Sequence, residues 1–93
     1  MSAADLEGRW VFGPNGESWR FTRIDQNRYK AQESGFANAC GFVTVKGAEF
    51  RLDFAFPGGT GHYLGRIGPD GRRIETTRHG DGARFTFVRD GHR

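Results

Sequence analysis

Apolar residues recur along the chain with a period of two, and turn-forming residues interrupt them about every ten positions, a spacing that predicts a small all-β sandwich or barrel. No stretch carries the period of an amphipathic helix. The clearest segment is Glu49–Phe56, where Phe50, Leu52, Phe54 and Phe56 fall on one face and Glu49, Arg51, Asp53 and Ala55 on the other. That alternation is what a half-buried antiparallel strand requires. Ala83–Arg89 repeats the design with Phe85 and Phe87 inward, and Glu17–Asp25 repeats it with Trp19 and Phe21.

The turns place the remaining strands. Gly13-Pro14-Asn15-Gly16 and Gly68-Pro69-Asp70-Gly71 are one device used twice: Pro presets φ, Asn or Asp tolerates the second turn position, and Gly supplies a positive φ. Each predicts a hairpin, which puts strands at Gly8–Phe12, His62–Ile67 and Arg72–Arg78. Gln26-Asn27, Lys46-Gly47 and His79-Gly80-Asp81-Gly82 read as further tight turns, bounding strands at Arg28–Glu33 and Gly41–Lys46. Eight strands result. All connections but one are too short for a parallel crossover, so sequence neighbours pair antiparallel as a meander. The exception, Ser34–Ala39 with Phe36, admits a corner, a bulge or a lid. Pro57-Gly58-Gly59-Thr60-Gly61 reads as a flexible loop at a barrel mouth, since no helix follows to make it a phosphate cradle. A meander of eight strands removes its edges by pairing the first with the last. The expected fold is therefore all-β, an eight-stranded antiparallel up-and-down barrel, closed or nearly closed, with two stacked sheets as the alternative.

Composition sharpens this picture. Ninety-three residues make one domain, expected over residues 8–90, with a flexible N-terminal segment at 1–7 and a tail at 91–93. Hydrophobic residues are only 35% of the chain, yet nine Phe, two Trp and two Tyr are among them, so the core is few in number and large in residue size. In so short a barrel a fully packed interior is the first expectation, and a pocket for a flat apolar ligand is the second. The net charge of +3 arises in the last third, where residues 66–93 carry seven Arg against four acids. Arg outnumbers Lys twelve to two, which suits anion contacts but also follows from a GC-rich genome. The chain has no run of about 18 apolar residues and no basic-then-apolar leader, and it is read as cytoplasmic, or periplasmic or secreted had a leader been removed. The single Cys40 agrees with a reducing compartment and reads as a buried small hydrophobe.

Gly8-Arg9-Trp10 on the first strand and Arg89 on the last resemble the calycin superfamily, the lipocalins and avidin-like proteins. There a G-x-W tryptophan on the first barrel strand packs against an arginine from the last. The resemblance implies that Gly8, Trp10 and Arg89 form a structural latch at one barrel end, a cation lying on an indole face. The polar residues with which avidin-like proteins hold biotin are not found in order, so biotin is not implied. Residues Ala3–Phe12 also resemble the opening of the small bacterial metalloprotease inhibitors, whose extended N-terminal segment enters a protease cleft. Those inhibitors carry a disulfide, which a single cysteine cannot make.

Non-catalytic binding is the function these features favour. The expected ligand is a small apolar or aromatic molecule, and Trp19, Tyr29, Tyr63 and Arg78 are the candidate ligand-binding residues. Arg78 shares the inward parity of Ile74 and Thr76, and a cation facing a barrel interior needs an acid, an aromatic face or a ligand. A protein–protein module, such as a protease inhibitor acting through residues 1–7, is the second class. Arg66, Arg73 and Arg84, with Glu75 among them, form a possible anion-binding stripe on the outer face. Without outward aromatics to stack bases, nucleic-acid binding is held only as a minor alternative. No catalytic site, metal site or cofactor is expected: His62, His79 and His92 stand in no metal or triad spacing, and Cys40 has no basic neighbour in sequence.

Overall fold

A computed structural model describes residues 5–13, 16–35 and 38–90. The expectations placed on Pro14-Asn15, Phe36, His92 and the tail at 91–93 lie outside the described residues. Eight antiparallel strands follow one another around a closed barrel: β1 (Gly8–Val11), β2 (Ser18–Arg23), β3 (Arg28–Ser34), β4 (Cys40–Lys46), β5 (Glu49–Phe56), β6 (Gly59–Ile67), β7 (Arg73–Arg78) and β8 (Arg84–Arg89). Each strand pairs with its sequence neighbours, and β1 closes on β8 through Trp10↔Arg89 and Val11↔Val88. The stacked-sheet alternative is thereby excluded.

The period-two pattern selects the inner face along the strands, except at the end of β5, where Phe56, expected inward with Phe50, Leu52 and Phe54, is 38% exposed. Trp10, Trp19, Phe21, Tyr29, Ala31, Val43, Phe50, Leu52, Ile74 and Phe87 are all buried on that face. Large rings face small residues across the strands: Phe21 opposes Ala31, Phe54 lies between Gly41 and Gly61, and Phe50 opposes Gly65. This alternation lets bulky side chains share a narrow interior. Rings stack into a lower tier, in which Trp10 meets Phe21 at 6.1 Å, Phe21 meets Phe50 at 5.9 Å and Phe50 meets Phe87 at 5.9 Å. That tier fills one half of the barrel.

Both Gly-Pro hairpins turn on a left-handed glycine, Gly16 at φ 85° and Gly71 at φ 70°. In the second, the Gly71 amide donates to the Gly68 carbonyl at 3.0 Å, and the Gly68 amide donates to Arg73 at 2.7 Å. Two expectations need correction. Gly59, Thr60 and Gly61 belong to β6 and pair with Phe56, Ala55 and Phe54, so only Pro57-Gly58 form the turn and the long flexible loop does not exist. Cys40 is exposed, because inward parity on β4 falls to Gly41, which pairs with Phe54, and leaves its neighbour outward.

Candidate functional site

The two barrel ends differ in kind. One end is plugged by the N-terminal segment, expected to be free over residues 1–7 but held at residues 5–7. Leu6 is fully buried; its amide donates to the Tyr29 hydroxyl at 3.0 Å, and its carbonyl accepts the Trp10 indole N–H at 2.9 Å. The Arg89 guanidinium lies 4.6 Å from the Trp10 ring centroid and donates to the Glu7 carbonyl at 3.0 Å and to the Asp5 carbonyl. A second clasp, the Arg9–Asp90 ion pair, ties β1 to the residue after β8. Gly8 sits beside this group at φ 130°, where an added Cβ would come within 3.5 Å of the Arg89 side chain. The three residues expected to form a latch thus meet at the plugged end.

Among the described residues the opposite end is open. It holds a cleft of about 850 Å³ lined by the loops and strand ends from Phe12 to Thr86. The expected fully packed interior therefore holds only for the lower half. Five rings make a continuous circuit around the cleft wall: Phe12 to Trp19 at 6.3 Å, Trp19 to Phe54 at 5.9 Å, Phe54 to Tyr63 at 5.2 Å, Tyr63 to Phe85 at 5.5 Å, and Phe85 back to Phe12 at 6.0 Å. They come from five different segments: the residue after β1, then β2, β5, β6 and β8. Phe87, 5.6 Å from Phe12 and 5.5 Å from Tyr63, joins this circuit to the packed tier below.

Polar groups punctuate this apolar wall. The indole N–H of Trp19 is buried and meets no acceptor among the described residues. Leaving such a donor unpaired costs about 1–3 kcal/mol, and each such atom in a native fold calls for a reason. Directly across from Trp19 on β3 is Glu33, only 3% exposed, with Oε1 accepting the Ala39 amide at 3.3 Å. Burial pushes the Tyr63 phenol above its ordinary value, an effect partly offset by the Arg78 guanidinium beside it. Arg78 itself lies 5.1 Å from the Phe85 ring centroid and pairs with Asp81 at 2.6 Å. On the outer rim His62 and His79 stack with centroids 4.4 Å apart.

Of the four candidate ligand-binding residues, Trp19, Tyr63 and Arg78 line the cleft. Tyr29 does not; it sits at the plugged end, its hydroxyl accepting from Leu6 and from Arg23 at 3.1 Å. Parity alone could not separate them, since all four point inward and only their height along the barrel differs. Phe12, Glu33 and Phe54 belong to the cleft but were not among the candidates. Glu33 carried a legible signal, because it shares the parity of the inward Tyr29 and Ala31. The outer arginines do not form one row. Arg66 pairs with Glu75, Arg73 with Val88 and Arg84 with Thr77, and Arg84 also reaches the cleft rim.

The Arg78–Asp81 pair has a pH signature. The Arg78 hydrogen bonds, with the Ala83 amide in support, lower the Asp81 carboxyl from 3.8 to about 2. A lowered carboxyl contributes its stabilising interaction above the unfolded value and loses it as pH falls through the folded one. The clasp on the β7–β8 turn should therefore persist through pH 3.8 and release near pH 2. Carboxyl-carbon NMR should show Asp81 titrating near 2, and Arg78→Met should move that midpoint toward 3.8. A midpoint already near 3.8 in the unaltered protein would show that the pair does not form in solution.

No known protein family, curated protein or solved structure matches the chain.

Proposed function

We propose that this chain is a short calycin-like barrel that binds a small apolar or aromatic molecule, without catalysis, in the cleft at its open end. The observation that carries this reading is the cleft itself: about 850 Å³ ringed by five aromatic side chains. Ligand pockets run from about 300 to 1,000 Å³, mostly apolar with a few placed polar groups. The division of labour between the ends supports the same reading. The plugged end, with Arg89 over Trp10, supplies the closure that a binding barrel needs so that its other end can remain hollow.

The two tryptophans make the test direct, because Trp19 lines the cleft and Trp10 lies in the packed tier at the plugged end. Titration with the apolar dye N-phenyl-1-naphthylamine should give saturable binding with a sub-millimolar Kd, as expected from about 0.3 kcal/mol for each heavy atom. The bound dye should quench indole emission. Trp10→Phe should retain that quenching and Trp19→Phe should abolish it. No saturable binding, or quenching that follows Trp10, would sink the proposal.

A further inference from the structure

We infer that the outer face of strands β3, β4 and β5 is the interface of a twofold dimer, with a second copy of this chain as its occupant. The argument starts at Phe42. At 56% it is the most exposed large hydrophobic side chain among the described residues, and it stands in the middle of β4 rather than at a turn. Phe12, Phe21, Phe50, Phe54, Phe85 and Phe87 all pack into the core, so a ring on the outer wall departs from the chain's own pattern. Beside it lies an outer groove of about 450 Å³ lined by small residues, among them Cys40, Gly41, Ala55 and Thr60. One exposed ring alone would be ordinary. The row of charge to which it belongs sets it apart.

Lys30, Phe42 and Asp53 stand abreast on the three strands, paired in register as Lys30↔Phe42 and Phe42↔Asp53. A cation and an anion thus flank the ring, one strand spacing of about 4.8 Å to either side. Lys30 has no acid partner among the described residues. Asp53 holds Arg51 at 2.9 Å, yet its side chain is 49% exposed and open to a second donor. A twofold axis laid along β4 in the plane of contact carries β3 of one copy onto β5 of the other. Ring then meets ring, and Lys30 of each copy faces Asp53 of the other. The pattern is its own complement, as an isologous interface requires. A foreign acidic or basic partner would satisfy one of these charges and leave the other opposed by its like. Along the same axis Cys40, also exposed on β4, faces its own counterpart. The residues beside Cys40 are Gln32 and Ala55, which carry no charge, whereas those beside Thr44 are Arg28 and Arg51, which would oppose each other. The contact therefore centres on Phe42 and Cys40. A face three strands wide belongs to the small class of interfaces, which dissociate readily.

Sedimentation velocity on the full chain from about 1 μM to about 500 μM should show a concentration-dependent dimer. Phe42→Lys should remove that dimer over the whole range and leave far-UV circular dichroism unchanged, since the ring lies on the outer wall. Asp53→Lys should weaken association about tenfold, and adding Lys30→Asp should restore it to within about threefold, because the two charges then face each other in reverse. Diamide, which takes up two electrons and two protons from a pair of thiols, should join the unaltered protein into a covalent dimer through Cys40, with a yield about fivefold lower in Phe42→Lys. A monomer at every concentration, a dimer that survives Phe42→Lys, or a charge swap that restores nothing would overturn the inference. The first of these outcomes would assign the face to a partner other than a second copy.

Discussion

Trp10→Ala is expected to lower the free energy of unfolding by about 3–5 kcal/mol, the range for truncating a large core aromatic. Trp10 is fully buried, packs 6.1 Å from Phe21, and carries the Arg89 guanidinium 4.6 Å from its ring. Burying an aromatic of its size removes about 200 Å² from water, worth about 5 kcal/mol at 25 cal/mol per Å². Losing the cation–π contact adds about 0.5–2 kcal/mol, and the Leu6 carbonyl loses its indole donor as well. The location magnifies the effect. Among the described residues the β1–β8 seam pairs Trp10↔Arg89 and Val11↔Val88, with the Asp90 amide donating to the Arg9 carbonyl at 2.9 Å, so the ring removed is part of what closes the barrel. Domains of this size are stable by about 5–15 kcal/mol, and each kcal/mol shifts Tm by about 4–8 °C. A fall in Tm of roughly 12–40 °C should follow from these figures. A urea melt showing a loss below about 1 kcal/mol would mean that the indole contributes little to closure.

The same seam shows why the fold was legible in the sequence and the site only partly so. Alternation along Glu49–Phe56 and the paired Gly-Pro turns constrain each strand locally, and short connections leave a meander almost no alternative. Closure then follows from the cost of open edges, without any residue announcing it. The cleft depends on a quantity that parity does not hold, the height of each side chain along a tilted barrel. Trp19 and Tyr29 both point inward from adjacent strands, yet one faces the open cleft and the other bonds the Leu6 amide at the plug. Glycine misled in a different way. Read as turn punctuation, the Gly59-Thr60-Gly61 run became a loop, whereas Gly61 lies within β6 so that the Phe54 ring can occupy the space its Cβ would need. Glycines inside strands and glycines in turns look alike until cross-strand register is known.

Gly41→Ala tests this second role at its most demanding point and should cost about 3 kcal/mol or more, at or beyond the usual range for overpacking. A Cβ added at Gly41 would stand 1.8 Å from the Asp53 carbonyl oxygen and 2.7 Å from the Phe54 Cα, both backbone atoms. No rotamer relieves this, because the position of Cβ is fixed by the main chain. Strand β4 would have to withdraw from β5 by more than an ångström, stretching the ladder on either side at Cys40↔Ala55 and Phe42↔Asp53. Gly47→Ala provides the contrast: its φ of 62° is strained for alanine, but nothing lies within 4 Å. That change should cost only about 1–2 kcal/mol. The gap between the two, read from denaturant midpoints, separates close approach from backbone conformation. Equal losses would show that β4 and β5 can part freely. Because Gly41 pairs with Phe54, whose ring links Trp19 to Tyr63 in the cleft wall, the same withdrawal should weaken dye binding even in the fraction that remains folded. A glycine chosen for packing thereby sets the position of the aromatic circuit that a guest would touch.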